Sequence, residues 1–375
     1  MTKYTHKTKY FEELNSLRFI GFIGIFFGHV FFSQDPEIIS SKIYSLFYDY
    51  GKLTGFISLD SFFVLSSFLI TWKALEEVNN SGNFRLRNFL IRRTLRIWPL
   101  YFLVVLLGFS IQYVNTYMQN DIGNLPSFWS FFFFILNYDI IINGYDFLFF
   151  MVFMWSISVE EQFYVFWAII LKFFKKHLFL ISILLIVVSL VFRVYFLNET
   201  LRLNFSTIST LGNFGIGAIA AIISFKKPYL FKLIRSLSKI KILTIYLIMI
   251  TVFILMPYLN KYEIFIIFQR LLFSIFYAFI ILEQSHCESS IIKVSKFKTF
   301  NFFGKISYGL YCYHGIIITF IMSLSVYFSI SIFNSLILYP FLIFILTILV
   351  SYFSFRYYES KFLDLKKKFN FPLSN

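Results

Sequence analysis

Seven side chains in this sequence have types suited to chemistry and stand in or beside strongly apolar runs: Arg18, His29, Asp60, Arg92, Arg96, Glu160 and His314. Arg18 and His29 share the run NSLRFIGFIGIFFGHVFF, residues 15–32, with the arginine at its start and the histidine well inside. Eleven residues separate them, about 16 Å on a helix and roughly half of a bilayer's hydrocarbon core. Arg18 is therefore expected at a membrane face and His29 near the midplane. An ionisable group at that depth is costly to bury, so function is the first reading. A neutral histidine beside a carboxylate can take a proton from a hydroxyl, the carboxylate fixing the tautomer and stabilising the imidazolium. The competing reading is a structural histidine bonded across helices.

Three further groups are expected at the same depth. His314 lies nine residues beyond Lys305, Glu160 twelve before Lys172 and Asp60 thirteen before Lys73. These separations are about 14, 18 and 20 Å on helices. Tyrosines around His314 could also satisfy it structurally. Glu160 and Glu161 point about 100° apart, so at most one faces a given cavity. Glu160 is assigned to the cavity, and Glu161 to the favourable field of a helix N-terminus. Arg92 and Arg96 are i and i+4, with Arg85 on the same face if the helix extends back. Such a face can grip a phosphate by forked, charge-assisted bonds, or it can simply anchor the span that opens at Trp98. Arg270 is a candidate counter-ion for one of the acids, whereas Arg193 is expected to snorkel. His177 and His286 are placed in loops, and Cys312 in packing.

These groups need a membrane bundle to position them. Of 375 residues, 58% are hydrophobic and 14% charged, unlike a soluble globule. The net charge of +15 is confined to short loops, a topology pattern and not a nucleic-acid face. Cys287 and Cys312 form neither a disulfide framework nor a zinc pattern, so no metal site is expected. The first apolar run enters SQDPE without a small-residue cleavage site, so it does not read as a cleavable signal. Hydropathy supports about ten helical spans: 17–34, 53–72, 98–117, 151–171, 178–197, 207–225, 242–259, 263–283, 306–326 and 336–355. Alternation of the kind a β-barrel needs is not sustained. The segment 128–142 is ambiguous in length. If it does not cross, 28 of the 34 Lys and Arg fall on the N-terminal side. It is therefore read as interfacial or re-entrant, with both termini cytoplasmic. The expected fold is one all-α, polytopic membrane domain over 1–375, without an appended soluble domain.

In chain order these stretches resemble the acyltransferase 3 family, integral-membrane acyltransferases of cell-surface glycans and lipids. Arg18 and His29 match its arginine, ten residues, histidine pattern, and LDSFFVLSSFLI resembles its second-span motif. Arg92 and Arg96 match R-x-x-x-R, WSISVEEQFY matches W-S-L-S-V-E-x-x-F-Y, and ISYGLYCYH matches I-S-Y-x-x-Y-x-x-H. The likeness runs from about residue 12 to 365. Departures are Asn15-Ser16 for a usual Asp-Gly, Ser67 for a usual Gly, and Glu359-Ser360-Lys361 for E-x-P.

The resemblance implies transfer of an acyl group, most often acetyl, from cytoplasmic acyl-CoA to a hydroxyl of a surface polysaccharide, lipopolysaccharide or lipid-linked sugar at the bacterial cytoplasmic membrane. His29 is then general base or acyl acceptor, with Glu160, Asp60 and His314 around it. Arg18, Arg92 and Arg96 hold the donor's phosphates, and acyl-CoA is a substrate, with no cofactor permanently bound. The outer loops 35–52, 118–150 and 198–206 would meet the acceptor. A transporter using the same polar cavity is the alternative, which inverted repeats and broken helices would favour; neither is evident.

Overall fold

A chain this apolar must satisfy its backbone groups internally, and in lipid only helices or closed barrels do so. The computed structural model describes residues 11–31, 36–117, 126–145, 150–226, 228–328 and 336–369. All their regular elements are helical. The long helices are α1 (Glu12–Val30), α2 (Lys42–Ser81), α3 (Leu86–Tyr117), α4 (Trp155–Phe173), α5 (Leu178–Tyr195), α6 (Thr207–Lys226), α7 (Lys239–Leu259), α8 (Glu263–His286), α9 (Ser307–Phe328) and α10 (Leu338–Ser354). A π-helical turn, Phe355–Glu359, joins α10 to the short α11 (Ser360–Lys367). Eight helical stretches among the described residues are long and apolar enough to cross a membrane. The two long helices outside that set, α1 and α4, are the ones made more polar by Arg18, His29 and the Glu160–Glu161 pair. The protein is an all-α multi-pass membrane protein. Large apolar side chains stay exposed along α5 and α7, among them Leu180, Val191, Leu247 and Ile254, the surface that lipid covers.

Small residues set how closely the helices approach. Gly24 and Gly28 of α1 face Ser58, Gly51 and Gly55 of α2, and a Cβ on Gly28 would stand 2.8 Å from the Gly55 Cα. Two G-x-x-x-G spacings thus pack against each other, the close contact that drives association where lipid offers no hydrophobic gain. The Gly, Ala and Ser-rich face of α6 packs against α2, α5 and α8, with Ser67 Oγ donating to the Phe214 carbonyl at 2.6 Å.

At 40 residues, α2 is about 60 Å long and outruns the bilayer. Gly82, at φ 75°, ends it and donates its N–H to the Val78 carbonyl. Glu77, one turn back, accepts from the Arg85 N–H (3.0 Å) and from Arg92 Nη2 (3.2 Å), clasping the start of α3.

The segment 128–142 forms two short helices, Phe128–Phe132 and Leu136–Asn143. Asp139 gathers them by accepting from the Ser127 N–H (3.3 Å), Ser130 Oγ, Asn143 Nδ2 and Tyr145 OH. Gln162 Nε2 of α4 donates to the Phe134 carbonyl and to Asn137 Oδ1, tying the segment to the bundle. Parts of the expected outer loops, 118–125 and 146–149, and the end of the first expected span, 32–34, lie outside the described residues.

Candidate active site

α1 and α9 bring two histidines together. His29 occupies the last turn of α1, and its Nδ1 stands 2.9 Å from His314 Nε2. The other nitrogen of His314, Nδ1, lies 2.5 Å from the Tyr311 carbonyl oxygen. A carbonyl can only accept, so His314 Nδ1 carries the hydrogen; in neutral His314 the Nε2 is then a lone pair. That lone pair accepts from His29 Nδ1–H, which leaves His29 Nε2 as an acceptor. Three groups on two helices thus fix one tautomer of His29. Phe153, from the 3₁₀ turn Phe150–Met154 ahead of α4, packs 4.6 Å from the His314 ring and 6.0 Å from that of His29. Phe22 meets His314 edge-on at 5.9 Å. His314 is fully buried and His29 half-buried.

Beside this pair, on the Arg18 side, lies an open-mouthed cavity of about 80 Å³. Arg18 of α1, Ser66 of α2, Arg93 and Arg96 of α3, Ser156, Glu160 and Tyr164 of α4, and Ser307, Tyr308 and Tyr311 of α9 line it. Arg18 Nη1 donates to Asn15 Oδ1 (3.2 Å), and Asn15 Nδ2 donates in turn to Asn301 Oδ1 (3.0 Å). Arg93 lies over the Tyr164 ring at 5.1 Å. Glu160 accepts from Ser66 Oγ (2.9 Å) and Tyr164 OH (2.5 Å). Three guanidinium groups against one carboxylate leave two excess positive charges in a partly enclosed site, the makings of an anion site. Ser156 Oγ and Tyr311 OH are 2.5 Å apart, and Tyr311 OH donates to the Phe153 carbonyl (2.9 Å). The histidine pair therefore stands one side-chain layer behind the cavity wall.

Several sequence expectations need correction. The carboxylate expected against His29 is a histidine instead. Glu160 sits in the arginine cavity. Asp60 belongs to a third cluster, where Arg270 Nε approaches its Oδ2 at 3.4 Å and Asn213 Nδ2 donates to its Oδ1 at 2.6 Å. Residue counting measures depth along each helix but not lateral position, so the single expected layer resolves into three sites. Arg92 does not line the cavity: Glu77 and the Phe369 carbonyl (2.8 Å) occupy it, and Arg93 stands there with Arg96. Arg193 does not snorkel. It is buried and donates from Nε to the Ile267 carbonyl (2.9 Å), from Nη1 to Ser209 Oγ (2.9 Å), and from Nη2 to the Ile266 carbonyl. His286 closes α8 and is buried against Phe11 and Trp72. Glu161 accepts from Trp98 Nε1 at 3.1 Å. Arg270 does pair with an acid, as expected.

An acyltransferase-domain family model, Acyl_transf_3, matches residues 11–356. The chain belongs to this family. Among its relatives, the peptidoglycan O-acetyltransferase OatA of Listeria monocytogenes is 30% identical over 75% of this chain and 48% of its own length. The O-acetyltransferase OatA of Staphylococcus aureus is 26% identical over 85% of this chain and 52% of its own. The chain spans about half the length of the curated relatives it matches. No solved structure matches it.

Sequence reasoning passed over several cavity residues of this acyltransferase-family chain, Arg93, Tyr164, Ser156 and Tyr311 among them. Arg93 and Arg96 are i and i+3, a face as valid as i and i+4. Tyr164 is i+4 from Glu160, and that spacing alone would have flagged it. Ser156 and Tyr311 carried no such signal, because their pairing joins helices far apart in sequence.

Proposed function

We propose that the chain is a membrane O-acyltransferase that moves an acyl group, acetyl in the simplest case, from a cytoplasmic acyl-CoA to a hydroxyl of a surface glycan. The observation that carries this reading is an anion cavity of three arginines placed one side-chain layer from a histidine whose Nε2 lone pair is set by its partners. Membership of an acyltransferase family, and relatives named as O-acetyltransferases, support the reaction class. The bacterial cytoplasmic membrane is the compartment where such a donor and acceptor meet.

In this reading Arg18, Arg93 and Arg96 hold the donor's diphosphate at the mouth. Two excess positive charges match a diphosphate's two negative ones, and guanidinium forks suit its oxygens. Holding the nucleotide end lets the flexible thioester arm extend past Ser156 and Tyr311 toward His29. His29 Nε2 takes the proton of the acceptor hydroxyl as its oxygen attacks the thioester carbonyl. The C–O bond forms, the C–S bond breaks, and the leaving thiolate receives the proton from the imidazolium. His314, neutral and held by the Tyr311 carbonyl, keeps accepting from His29 Nδ1–H throughout. Glu160 stays in the cavity, where Tyr164 and Ser66 hold it between the arginines and limit their mutual repulsion.

The test is to incubate membranes carrying the protein, or its His29→Ala variant, with radiolabelled acetyl-CoA and to follow label into the glycan and glycolipid fractions. The expected result is labelling that falls by about 10²–10⁴ in the variant, the range for a lost general base. Equal labelling by two equally folded proteins refutes the role of His29, and no labelling by either refutes the donor.

A further inference from the structure

Among the described residues, six hydroxyl side chains line the cavity: Ser66, Ser156, Tyr164, Ser307, Tyr308 and Tyr311. A hydroxyl has one hydrogen, so each can be traced to its acceptor. Ser66 Oγ and Tyr164 OH give theirs to the Glu160 carboxylate, at 2.9 and 2.5 Å. Tyr308 OH donates to the Ile97 carbonyl (2.8 Å), and Tyr311 OH to the Phe153 carbonyl (2.9 Å). Those four hydrogens are held by a carboxylate or by backbone carbonyls. The Tyr311 hydrogen is thereby committed, so across the 2.5 Å contact Ser156 Oγ donates and the Tyr311 hydroxyl oxygen accepts. The Ser156 hydrogen rests on a neutral hydroxyl, an acceptor that a negatively charged oxygen outcompetes.

Position separates Ser156 from Ser307, the remaining hydroxyl. Ser307 opens α9, seven residues before His314 and about 10 Å from it along the helix. That is the end of the bundle where Asn301 meets Asn15 and Arg18. Ser156 lies at the histidine end. It is the second residue of α4, three after Phe153, whose ring stands 4.6 Å from that of His314 and 6.0 Å from that of His29. Its acceptor Tyr311 also holds His314 through the backbone carbonyl. Ser156 is 3% exposed, so little water competes for its hydrogen. Attack on a thioester puts negative charge on the carbonyl oxygen, and a fixed donor aimed at that oxygen is a large source of rate. The arginines are assigned to the diphosphate and Glu160 repels an oxyanion, so this task falls to a neutral donor at the histidine end.

We propose that Ser156 is a catalytic residue whose hydroxyl donates a hydrogen bond to the thioester carbonyl oxygen of the acyl donor. As the acceptor oxygen bonds to the carbonyl carbon, the C=O π pair moves onto the carbonyl oxygen, and Ser156 turns its hydrogen from Tyr311 to that oxyanion. Ser156 transfers no proton; His29 Nε2 takes the proton of the acceptor hydroxyl. The pair then returns to re-form C=O, the C–S bond breaks, and the thiolate takes the proton from His29. Tyr311 is a positioning residue: it holds the Ser156 hydroxyl at rest, and by turning its own hydrogen to Ser156 Oγ it strengthens the donor through a chain of two hydroxyls. This rests on the donor reading above and adds the group that stabilises the developing charge.

The experiment takes wild type, Ser156→Ala, Ser156→Cys and Tyr311→Phe. It measures initial rates of labelled acetyl transfer in membranes at saturating acetyl-CoA, and acetyl-CoA binding and thermal melting of the purified chain in nanodiscs. Ser156→Ala is expected to lower the saturated rate by about 10²–10³, the range for one lost oxyanion donor, with donor affinity within about threefold of wild type. Ser156→Cys, close in volume but a weak donor, should lose at least about tenfold, and it carries the test if the alanine variant does not fold. Tyr311→Phe leaves the Ser156 hydroxyl in place and should lose about tenfold or less. A wild-type rate in either Ser156 variant, or a loss shared equally by rate and donor affinity, overturns the role of Ser156 and leaves the histidine pair and the arginine site standing. Tyr311→Phe as slow as Ser156→Ala assigns the donor to Tyr311 and overturns it as well. Labelled acetyl recovered in covalent linkage to Ser156 makes that residue a nucleophile, with the same consequence. Failure of wild type to bind acetyl-CoA and to transfer from it overturns the donor reading, and the role of Ser156 with it.

Discussion

Replacing His314 tests the histidine pair most directly. In His314→Leu the buried Nδ1–H of His29 loses its acceptor, now 2.9 Å away. An unpaired buried donor costs about 1–3 kcal/mol, and the imidazole regains the freedom to flip or to adopt the other tautomer. A loss of about 1–3 kcal/mol in the transition state corresponds to roughly 5- to 150-fold in rate. In His314→Gln the side-chain oxygen can still accept from His29 Nδ1–H, so activity should stay within about tenfold of wild type. The decisive quantity is the coupling between the two positions. Because His314 acts through His29, His314→Leu in a His29→Ala background should cost almost nothing further, a strongly non-additive cycle. The assay is initial-rate transfer of labelled acetyl at saturating donor, with protein amount normalised to monodisperse material. Additive losses, or a Gln variant no better than Leu, would refute the argument that His314 sets the tautomer.

Other consequences concern the cavity and the packing around it. Arg93→Ala should raise the donor KM by about ten- to a hundredfold, as loss of a charge-assisted bond requires, whereas Arg92→Ala should mainly lower the melting temperature by unpairing Glu77. Donor titrations beside thermal melts in one detergent separate the two, and a KM effect confined to Arg92 would contradict the placement of these arginines. Gly28→Leu should displace α1 from α2, with overpacking of about 1–3 kcal/mol, and lower transfer together with the melting temperature. Unchanged melting and activity would show that the close approach is not needed. Asp60→Asn should destabilise the bundle by about 3–5 kcal/mol, because Arg270 is left charged and buried, and adding Arg270→Met should recover part of it. Equal melting of the single and double variants would mean that the pair is not coupled.

Much of this protein was legible in the sequence, because its solvent is lipid. Apolar runs of helical length, with basic residues gathered between them, fix an all-α membrane bundle. Lone ionisable residues inside those runs mark functional candidates, because burying them has to be offset by something. The motif order from Arg18 to His314 pointed to the family as well. The sequence could not say which of these groups meet. Counting along a helix gives depth, but the angle around its axis and the choice of neighbour depend on contacts between distant segments. Gly28 against Gly55 seats α1, and α9 then meets its last turn, so His29 finds His314 and neither acid. Glu77, at the far end of α2, captures Arg92 and leaves Arg93 to the cavity. Asp60 is claimed by Arg270 and Asn213. Each choice is made by a partner at least 15 residues away, within reach only when the bundle closes.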